Sequence, residues 1–246
     1  MIRICLVFLM VLCFSCKEKP VVLDAQSIID KAIAVAGGER YDNAEIDFTF
    51  RNIKYKSIRQ NGLFSLQRLL ADTLNTVDIL TNDGFTRLQR SEKVALADTI
   101  AFNYMESVNS VHYFVQLPYG LNNPGVFKKL LGETTIKNKR YYKMEVTFSE
   151  DGGGVDFQDV FLYWISKEDF TVDYLAYQFF TGKGGIRFRE SYNPRVIEGI
   201  RFVDYNNYRP KDTLANLYEI DVLFETNALE LLSKIETENV SVRLLK

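Results

Sequence analysis

One helical segment interrupts a long series of strand-like segments, and this interruption constrains the fold more than any other feature. Residues 98–117 carry Tyr104, Val108 and Val111 at helical spacing, and Pro118 follows them. Apolar and polar residues alternate on both sides of this segment, as they do in strands. A helix inside a series of antiparallel strands predicts a mainly β (α+β) chain. We expect one large curved antiparallel sheet, or an incomplete β-barrel, wrapped around the inserted helix.

The remaining elements follow from the same periodicities. Residues 25–36 show a helical period and end at Gly37-Gly38, which predicts an N-terminal helix. A shorter helix over residues 126–131 and a helical turn over residues 227–234 are also expected. The predicted strands cover residues 46–50, 53–59, 63–70, 76–81, 85–89, 133–136, 140–149, 156–166, 171–181, 185–192, 200–208, 217–225 and 240–244.

The central strands are apolar on both faces. Residues 157–165 and 172–180 lack the clean alternation of a sheet with one wet face. We therefore expect both faces to be covered, one of them by the inserted helix or by a cavity. The chain has 18 Phe, 14 Tyr and 1 Trp, an excess that a large core or a ligand cavity would explain.

Composition excludes several classes of protein. The net charge of -2 and the lack of a basic cluster argue against binding to nucleic acid. The three cysteines are Cys5, Cys13 and Cys16, and the one histidine is His112. Disulfides, thiol catalysis and Cys/His zinc sites in the body of the chain are thereby excluded, and no cofactor is expected. A calcium site made of oxygen ligands stays open, although no EF-hand loop is present.

The N-terminus has the parts of a secretory signal. Arg3 precedes an apolar run over residues 4–14, and Ser15-Cys16 ends it. This run is too short to span a membrane, and its end resembles a bacterial lipobox, whose cysteine is acylated. We expect a signal peptide over residues 1–15, a lipidated tether over 16–24 and a single half-barrel domain over 25–246. An ordinary secreted protein or an uncleaved anchor is the alternative.

The residues after Cys16 bear on the location. Lys17 differs from the Asp-type signal that retains lipoproteins in the inner membrane, so we expect an outer-membrane lipoprotein of the cell envelope. Its membrane partner would be contacted through the acylated Cys16. The triplet Lys17-Glu18-Lys19 resembles the export signal of surface lipoproteins in the Bacteroidota. The periplasmic face and the cell surface both stay open.

Charged residues in apolar strands are candidates for a polar patch. Arg187 and Arg189 are two residues apart and share a face, and Asp156, Asp159 and Asp173 are the acids of the central strands. Because unpaired burial is costly, we expect at least one arginine, from a set that also includes Arg201, to pair with one of these aspartates. The patch would hold a ligand head group or form a structural ion-pair network.

His112 and the aromatic residues each have more than one interpretation. His112 has a structural role, a ligand contact or a catalytic role, although no G-x-S-x-G elbow is present. The aromatic side chains, among them Phe114, Phe161 and Phe179, form core or line a lipid-accepting pocket. The candidate ligand-binding residues are Asn109, His112, Tyr113, Asp159, Trp164, Asp173, Tyr177, Arg187 and Arg189.

Several stretches resemble an uncharacterised family of lipoproteins from flavobacteria and their relatives. These are residues 30–45 (DKAIAVAGGERYDNAE), 107–126 (SVNSVHYFVQLPYGLNNPGV), 152–165 (GGGVDFQDVFLYWI), 172–177 (VDYLAY) and 184–191 (GGIRFRES). The resemblance implies a source in the Bacteroidota and a compartment, but no activity. The element order is also similar to the LolA/LolB-like lipoprotein carriers, whose fold is an incomplete barrel plugged by helices; function does not follow from fold alone.

Three functions compete at this point. The first is a non-catalytic envelope lipoprotein that binds a lipid or acyl chain in a cavity between sheet and helix. The second is a structural or interaction lipoprotein with a solid core and an exposed apolar patch. The third is an envelope hydrolase, which needs convergent acids or a histidine beside a hydroxyl group.

Overall fold

Antiparallel strands form most of the chain in the computed structural model, which describes residues 23–150 and 157–246. They make two seven-stranded sheets, and neither closes into a barrel within these residues. Sheet I contains, in spatial order, β14 (Glu238–Leu244), β1 (Ala44–Phe50), β2 (Ile53–Gln60), β3 (Leu63–Leu69), β4 (Val77–Thr81), β5 (Gly84–Gln89) and β6 (Glu92–Lys93). Sheet II contains β13 (Leu229–Ile235), β12 (Ile200–Pro210), β11 (Gly185–Ile197), β10 (Val172–Phe179), β9 (Val160–Ser166), β8 (Lys139–Phe148) and β7 (Val126–Ile136).

The predicted class is confirmed: the chain is mainly β, open and antiparallel, with an N-terminal helix. The strands are divided between two sheets, and α2 (Asp98–Val115) lies in the chain between β6, in sheet I, and β7, in sheet II. The chain returns to sheet I only at β14, where Leu244 pairs with Ala44 of β1.

The N-terminal helix α1 (Ala25–Ala36) has the predicted bounds. The Asp24 side chain accepts a hydrogen bond from the backbone N–H of Ser27, which caps the first turn. Gly37, at φ 142°, ends the helix, and its N–H is donated to carbonyls of the last turn. Ile28, Ile29 and Ala32 are buried and join the core on the inner face of sheet II.

The inserted helix α2 lies on sheet I, against β3, β4 and β5. Its buried side chains are Val108 and His112. The structure thus has the helix predicted over residues 98–117, and it ends at Val115, before Pro118. No helix within residues 23–150 and 157–246 combines the length and apolarity that a membrane span requires.

Both faces of sheet II are covered, as the sequence predicts. β9 alternates strictly, so that Phe161 and Tyr163 join the inner core with α1, while Leu162 and Trp164 join a second core on the outer face. The outer core is completed by the turn Leu217–Glu219 and by α3 (Ile220–Glu225).

The helix predicted over residues 126–131 is wrong, since these residues begin β7. Burial alternates along them, with Val126 partly buried and Phe127 exposed, and Val126 pairs with Phe148 of β8. Pairing along the whole of β8 therefore overrides the helical propensity of the Lys and Leu residues in this stretch.

Two predictions near the C-terminus are also wrong. Residues 217–225, predicted as a strand, form a 3₁₀ turn and α3, because Leu217, Ile220 and Phe224 lie at helical spacing against the outer core. Residues 227–234, predicted as a helical turn, lie largely in β13, which pairs with the edge of β12.

The N-terminal predictions lie outside the described residues. Cys16 and the expected signal peptide precede residue 23, and Asp156 lies between the two described ranges. The division into signal peptide, tether and single domain stays a prediction.

Candidate functional site

A cleft of about 750 Å³ lies between α2 and the inner face of sheet II. This volume falls within the range of about 300–1,000 Å³ that is usual for small-molecule sites. The outer side of α2 provides one wall, and β9, β10 and β11 provide another. We call it the aromatic cleft, because six rings line it: Tyr113, Phe114, Phe148, Phe161, Tyr177 and Phe179.

Phe161 lies at the centre of these rings. Its centroid is 5.3 Å from that of Tyr177, 5.5 Å from Phe148 and 6.1 Å from Tyr113. The register of sheet II explains the closest contact, because Phe161 and Tyr177 are directly paired across β9 and β10. The rings meet in stacked and edge-on arrangements and form an aromatic surface.

Three of the described charged residues, Arg187, Asp159 and Glu106, line the cleft. The Arg187 guanidinium lies 5.0 Å from the Phe179 ring, and it donates a hydrogen bond to the carbonyl of Ile186 at 2.9 Å. The Asp159 carboxylate accepts a hydrogen bond from the N–H of Phe180 at 3.3 Å. Arg187 and Asp159 lie near strand ends of sheet II, whereas Glu106 lies on α2.

One polar contact joins the two walls. The hydroxyl groups of Tyr113 on α2 and Tyr163 on β9 are 2.6 Å apart. Burial raises the pKa of Tyr163 well above its ordinary value, so its hydroxyl stays protonated at neutral pH. This hydrogen bond helps to set the distance between helix and sheet.

A second cavity of about 390 Å³ adjoins the aromatic cleft. Leu80, Asn109 and Asn123 line both spaces. This small cavity extends between sheet I and the segment after α2, and its wall includes Arg59 and Tyr119.

The structure brings five of the candidate residues to the lining of the aromatic cleft. They are Asn109, Tyr113, Asp159, Tyr177 and Arg187. Of these, Asn109 and Tyr113 share one side of α2 because they are four residues apart.

His112 does not line the cleft, since it points to the opposite side of α2. Its ring is 1 % exposed and contacts Phe48 and Tyr55 edge-on. Nε2 donates to the carbonyl of Gln67 at 3.1 Å, and Nδ1 lies 3.4 Å from the amide nitrogen of Gln116. Burial lowers the pKa of His112 to about 4, so the ring is neutral at physiological pH.

Trp164 and Asp173 also lie away from the cleft. Trp164 belongs to the outer core, where its Nε1 donates to Asp221 at 3.3 Å. Asp173 accepts hydrogen bonds from Lys139 at 3.0 Å and from Tyr141 at 3.1 Å. Arg201 lies 3.8 Å from Asp173, which confirms the expectation that an arginine pairs with an aspartate of the central strands.

Arg189 lies behind the aromatic surface rather than on it. Its guanidinium carbon is 3.8 Å from the Phe114 ring centroid, and Nη2 donates to the Tyr177 hydroxyl at 2.9 Å. Nε of this buried side chain has no hydrogen-bond partner among the described residues. Arg189 therefore supports two of the rings from behind.

The sequence reasoning missed several lining residues. Phe148 and Asn123 line the aromatic cleft, and Arg59 and Tyr119 line the small cavity. The alternation along β8 could have indicated Phe148. No local pattern connects Arg59 on β2 with the segment after α2.

The described residues contain no metal centre of a recognisable kind. Within residues 23–150 and 157–246, no three or more His, Cys, Asp or Glu side chains form a group that could hold a metal ion. The hydrogen-bond partners of His112 among the described residues are the carbonyl of Gln67 and the side-chain amide of Gln116, and neither is a hydroxyl or a carboxylate.

Known structures are similar to this chain at low sequence identity. A DUF1329 family protein from Desulfovibrio piger ATCC 29098 is 14 % identical over 89 % of this chain and 92 % of that chain, with a TM-score of 0.50. A LolA superfamily protein from Nitrosomonas europaea is 13 % identical over 92 % and 94 %, with a TM-score of 0.48. A putative outer membrane lipoprotein-sorting protein domain from Vibrio parahaemolyticus is 9 % identical over 90 % and 92 %, with a TM-score of 0.41.

No curated protein sequence matches this chain. Residues 3–237 match a family of unknown function, DUF6503, and because the match spans most of the sequence, the chain belongs to that family.

Proposed function

We propose that this protein is a non-catalytic, lipid-anchored protein of the cell envelope that binds a lipid or an acyl chain in the aromatic cleft. The observation that carries the proposal is the cleft itself, about 750 Å³ in volume and lined by six aromatic rings. Binding of an apolar ligand would remove both the aromatic rings and the ligand's own hydrocarbon chain from contact with water.

The energetics of such a site favour a flexible hydrocarbon. Each methylene group that leaves water contributes about 0.8 kcal/mol, and the rings require no hydrogen-bond partner in return. Arg187 and Asp159 lie at the strand ends, where they can contact the polar end of a ligand without crossing the apolar surface.

The anchor is the second part of the proposal and rests on the sequence. An acylated Cys16 would tether the body of the chain to the outer membrane of a bacterium of the Bacteroidota, on the periplasmic face or at the cell surface. Two or more acyl chains hold a protein stably at a membrane, whereas one holds it only marginally.

The alternatives receive less support. An interaction protein with a solid core would have no cleft between helix and sheet. A hydrolase that depends on histidine would need His112 beside a hydroxyl or carboxylate, whereas the ring is buried, neutral and bonded to Gln67 and Gln116.

Native mass spectrometry of the full chain, purified from the membrane fraction, tests ligand binding. We expect extra mass that organic extraction removes and that lipid analysis identifies. Asn109→Trp places a ring in the cleft from an exposed position and should abolish the extra mass. Asn103→Trp is the matched control, since Asn103 is exposed on the same helix outside the lining. A wild-type chain that is reproducibly empty would refute the ligand-binding function.

The anchor has its own test. The mature N-terminal peptide should begin at Cys16 and carry acyl chains, and Cys16→Ser should move the protein out of the membrane fraction. A Cys16→Ser protein that stays membrane-bound and unprocessed would favour an uncleaved anchor.

A further inference from the structure

The small cavity beside the aromatic cleft contains a cation that the protein compensates only in part. Arg59 lies on β2 and lines this cavity. No carboxylate of the described residues lies within 4.0 Å of its guanidinium nitrogens. Burial lowers the pKa of Arg59, which indicates that the cation is poorly solvated.

Neutral groups hold Arg59 in place and leave donors available. Nη1 donates to Ser57 Oγ at 2.7 Å and to Gln116 Oε1 at 2.5 Å, and both of these side chains are buried. The Tyr119 ring lies 5.0 Å from the guanidinium carbon. Nε and Nη2 form no hydrogen bond to any described residue, so a fixed guanidinium that lines the cavity retains N–H groups available to a ligand.

Asp42 also lines the small cavity, and its carboxylate is engaged by Tyr119, another lining residue. Asp42 is exposed, and it accepts a hydrogen bond from the Tyr119 hydroxyl at 2.7 Å. An exposed carboxylate is screened by water and salt more than the partly buried Arg59 guanidinium is. An anion that enters the small cavity would therefore gain more from Arg59 than it would lose to Asp42.

The two spaces are joined by their lining. Leu80, Asn109 and Asn123 line both, so the aromatic cleft and the small cavity with Arg59 are adjacent. We propose that the two cavities form one site for an anionic amphiphile, with its apolar chain among the rings and its carboxylate or phosphate on Arg59. Both oxyanions accept paired N–H donors from a guanidinium. The inference rests on the proposed function and specifies the ligand class.

The test compares ligands that differ only in the head group. The purified full chain, freed of lipid on a hydrophobic resin, is titrated with laurate, dodecyl phosphate and 1-dodecanol. We expect at least one of the two anions to bind about tenfold or more tightly than the alcohol, since a hydrogen bond to a charged group replaces a neutral one. The tighter anion identifies whether the natural head is a carboxylate or a phosphate.

Two variants connect the preference to Arg59. Arg59→Met should bring the affinity for the anion down towards that for the alcohol. Gln116→Glu leaves Arg59 in place but sets a carboxylate against it, and should have the same effect. Arg51→Met is the matched control, because Arg51 is exposed at the turn between β1 and β2, and it should keep the preference. Thermal unfolding of each variant verifies that it is folded.

The outcomes separate the two proposals. Equal affinity of all three ligands would overturn this inference and leave the ligand-binding function standing. Loss of the preference in Arg187→Met, with Arg59→Met unaffected, would also overturn it, since the head would then lie at the strand ends. Failure of all three ligands to bind would overturn both.

Discussion

Replacing Asp78 by Asn should detach α2 from sheet I. Asp78 is fully buried on β4, and two arginines from the neighbouring strands bind it. Arg87 donates to both carboxylate oxygens, at 2.6 and 2.9 Å, and Arg68 donates twice to Oδ2, at 2.6 and 3.0 Å. Arg68 also donates to Ser107 on α2 at 2.7 Å, and the Arg87 guanidinium lies 3.5 Å from the Tyr104 ring.

The magnitude follows from what the substitution leaves behind. Breaking a buried ion pair by removing one partner costs about 3–5 kcal/mol, because the remaining charge has no compensation. Asp78→Asn leaves two guanidinium groups facing a neutral amide whose NH₂ cannot accept their hydrogen bonds. Both arginine side chains are only about a tenth exposed, at 11 % and 10 %. Because water can hydrate the exposed edges of the two guanidinium groups, we expect the free energy of unfolding to fall by about 3 kcal/mol, the lower end of this range.

Equilibrium urea unfolding, followed by circular dichroism, measures this loss. Glu133→Gln is the control: it breaks ion pairs to Arg140 and Lys167, but Glu133 is 44 % exposed, so its midpoint should not move measurably. Hydrogen exchange in the first half of α2 should accelerate in Asp78→Asn, since Tyr104 and Ser107 lose their fixed partners.

Two results would refute the reasoning. If Asp78→Asn unfolds at the same urea concentration as Glu133→Gln, the three charges are not an anchor. If stability falls by the expected amount while exchange in α2 is unchanged, the cluster stabilises sheet I alone.

Further predictions concern stability and binding. His112 has its pKa lowered to about 4 in the fold against 6.5 in the unfolded chain, so its neutral form contributes stability that is present above pH 6.5 and is lost as the pH falls towards 4. Between pH 7.5 and 4.5 this loss is about 2.5 kcal/mol. His112→Asn has no such group to titrate, so over the same pH range its unfolding free energy should fall by about 2.5 kcal/mol less than that of the wild type. Gly199→Ala should destabilise the chain by about 1–2 kcal/mol in the same assay, because φ is 78° and the new Cβ would lie 2.5 Å from Arg40 Nε. Asp42→Asn should tighten laurate binding a fewfold in a titration, since it removes the acid near Arg59; weaker binding would contradict the placement of the head group. Affinity along a series of n-alkanols should rise about fourfold per methylene until the cleft is filled, and a flat series would contradict an apolar site.

Local patterns in the sequence predict most of the elements correctly. The bounds of α1 follow from the apolar period and Gly37, and Asn82-Asp83, residue types typical of a tight turn, separate β4 from β5. The two-sided apolar character of β9 correctly predicts that both faces of sheet II are covered. These signals are local, and each depends on a few residues whose spacing fixes which way they point.

The division into two sheets depends on information that is not local. β1 pairs with β14 from the other end of the chain, and no pattern within either strand specifies that partner. The same limit applies to the site, since Arg59 reaches the small cavity only because sheet I lies beside the segment after α2. Non-local contacts also explain the two misassigned segments. Packing on the outer core makes residues 217–225 helical, and pairing with β8 makes residues 126–131 a strand.

The two sides of α2 explain why a cleft exists at all. Towards sheet I the helix is fixed by buried charges and by His112, whose contacts are specific in direction and distance. Towards sheet II it presents Tyr113 and Phe114, which meet the sheet mainly through ring faces and edges. Contacts of the first kind have one geometry, whereas aromatic contacts tolerate small displacements at little cost. A ligand that enters between α2 and sheet II, as we propose, would displace these ring contacts and strain the Tyr113–Tyr163 hydrogen bond, and it would leave the attachment of α2 to sheet I in place.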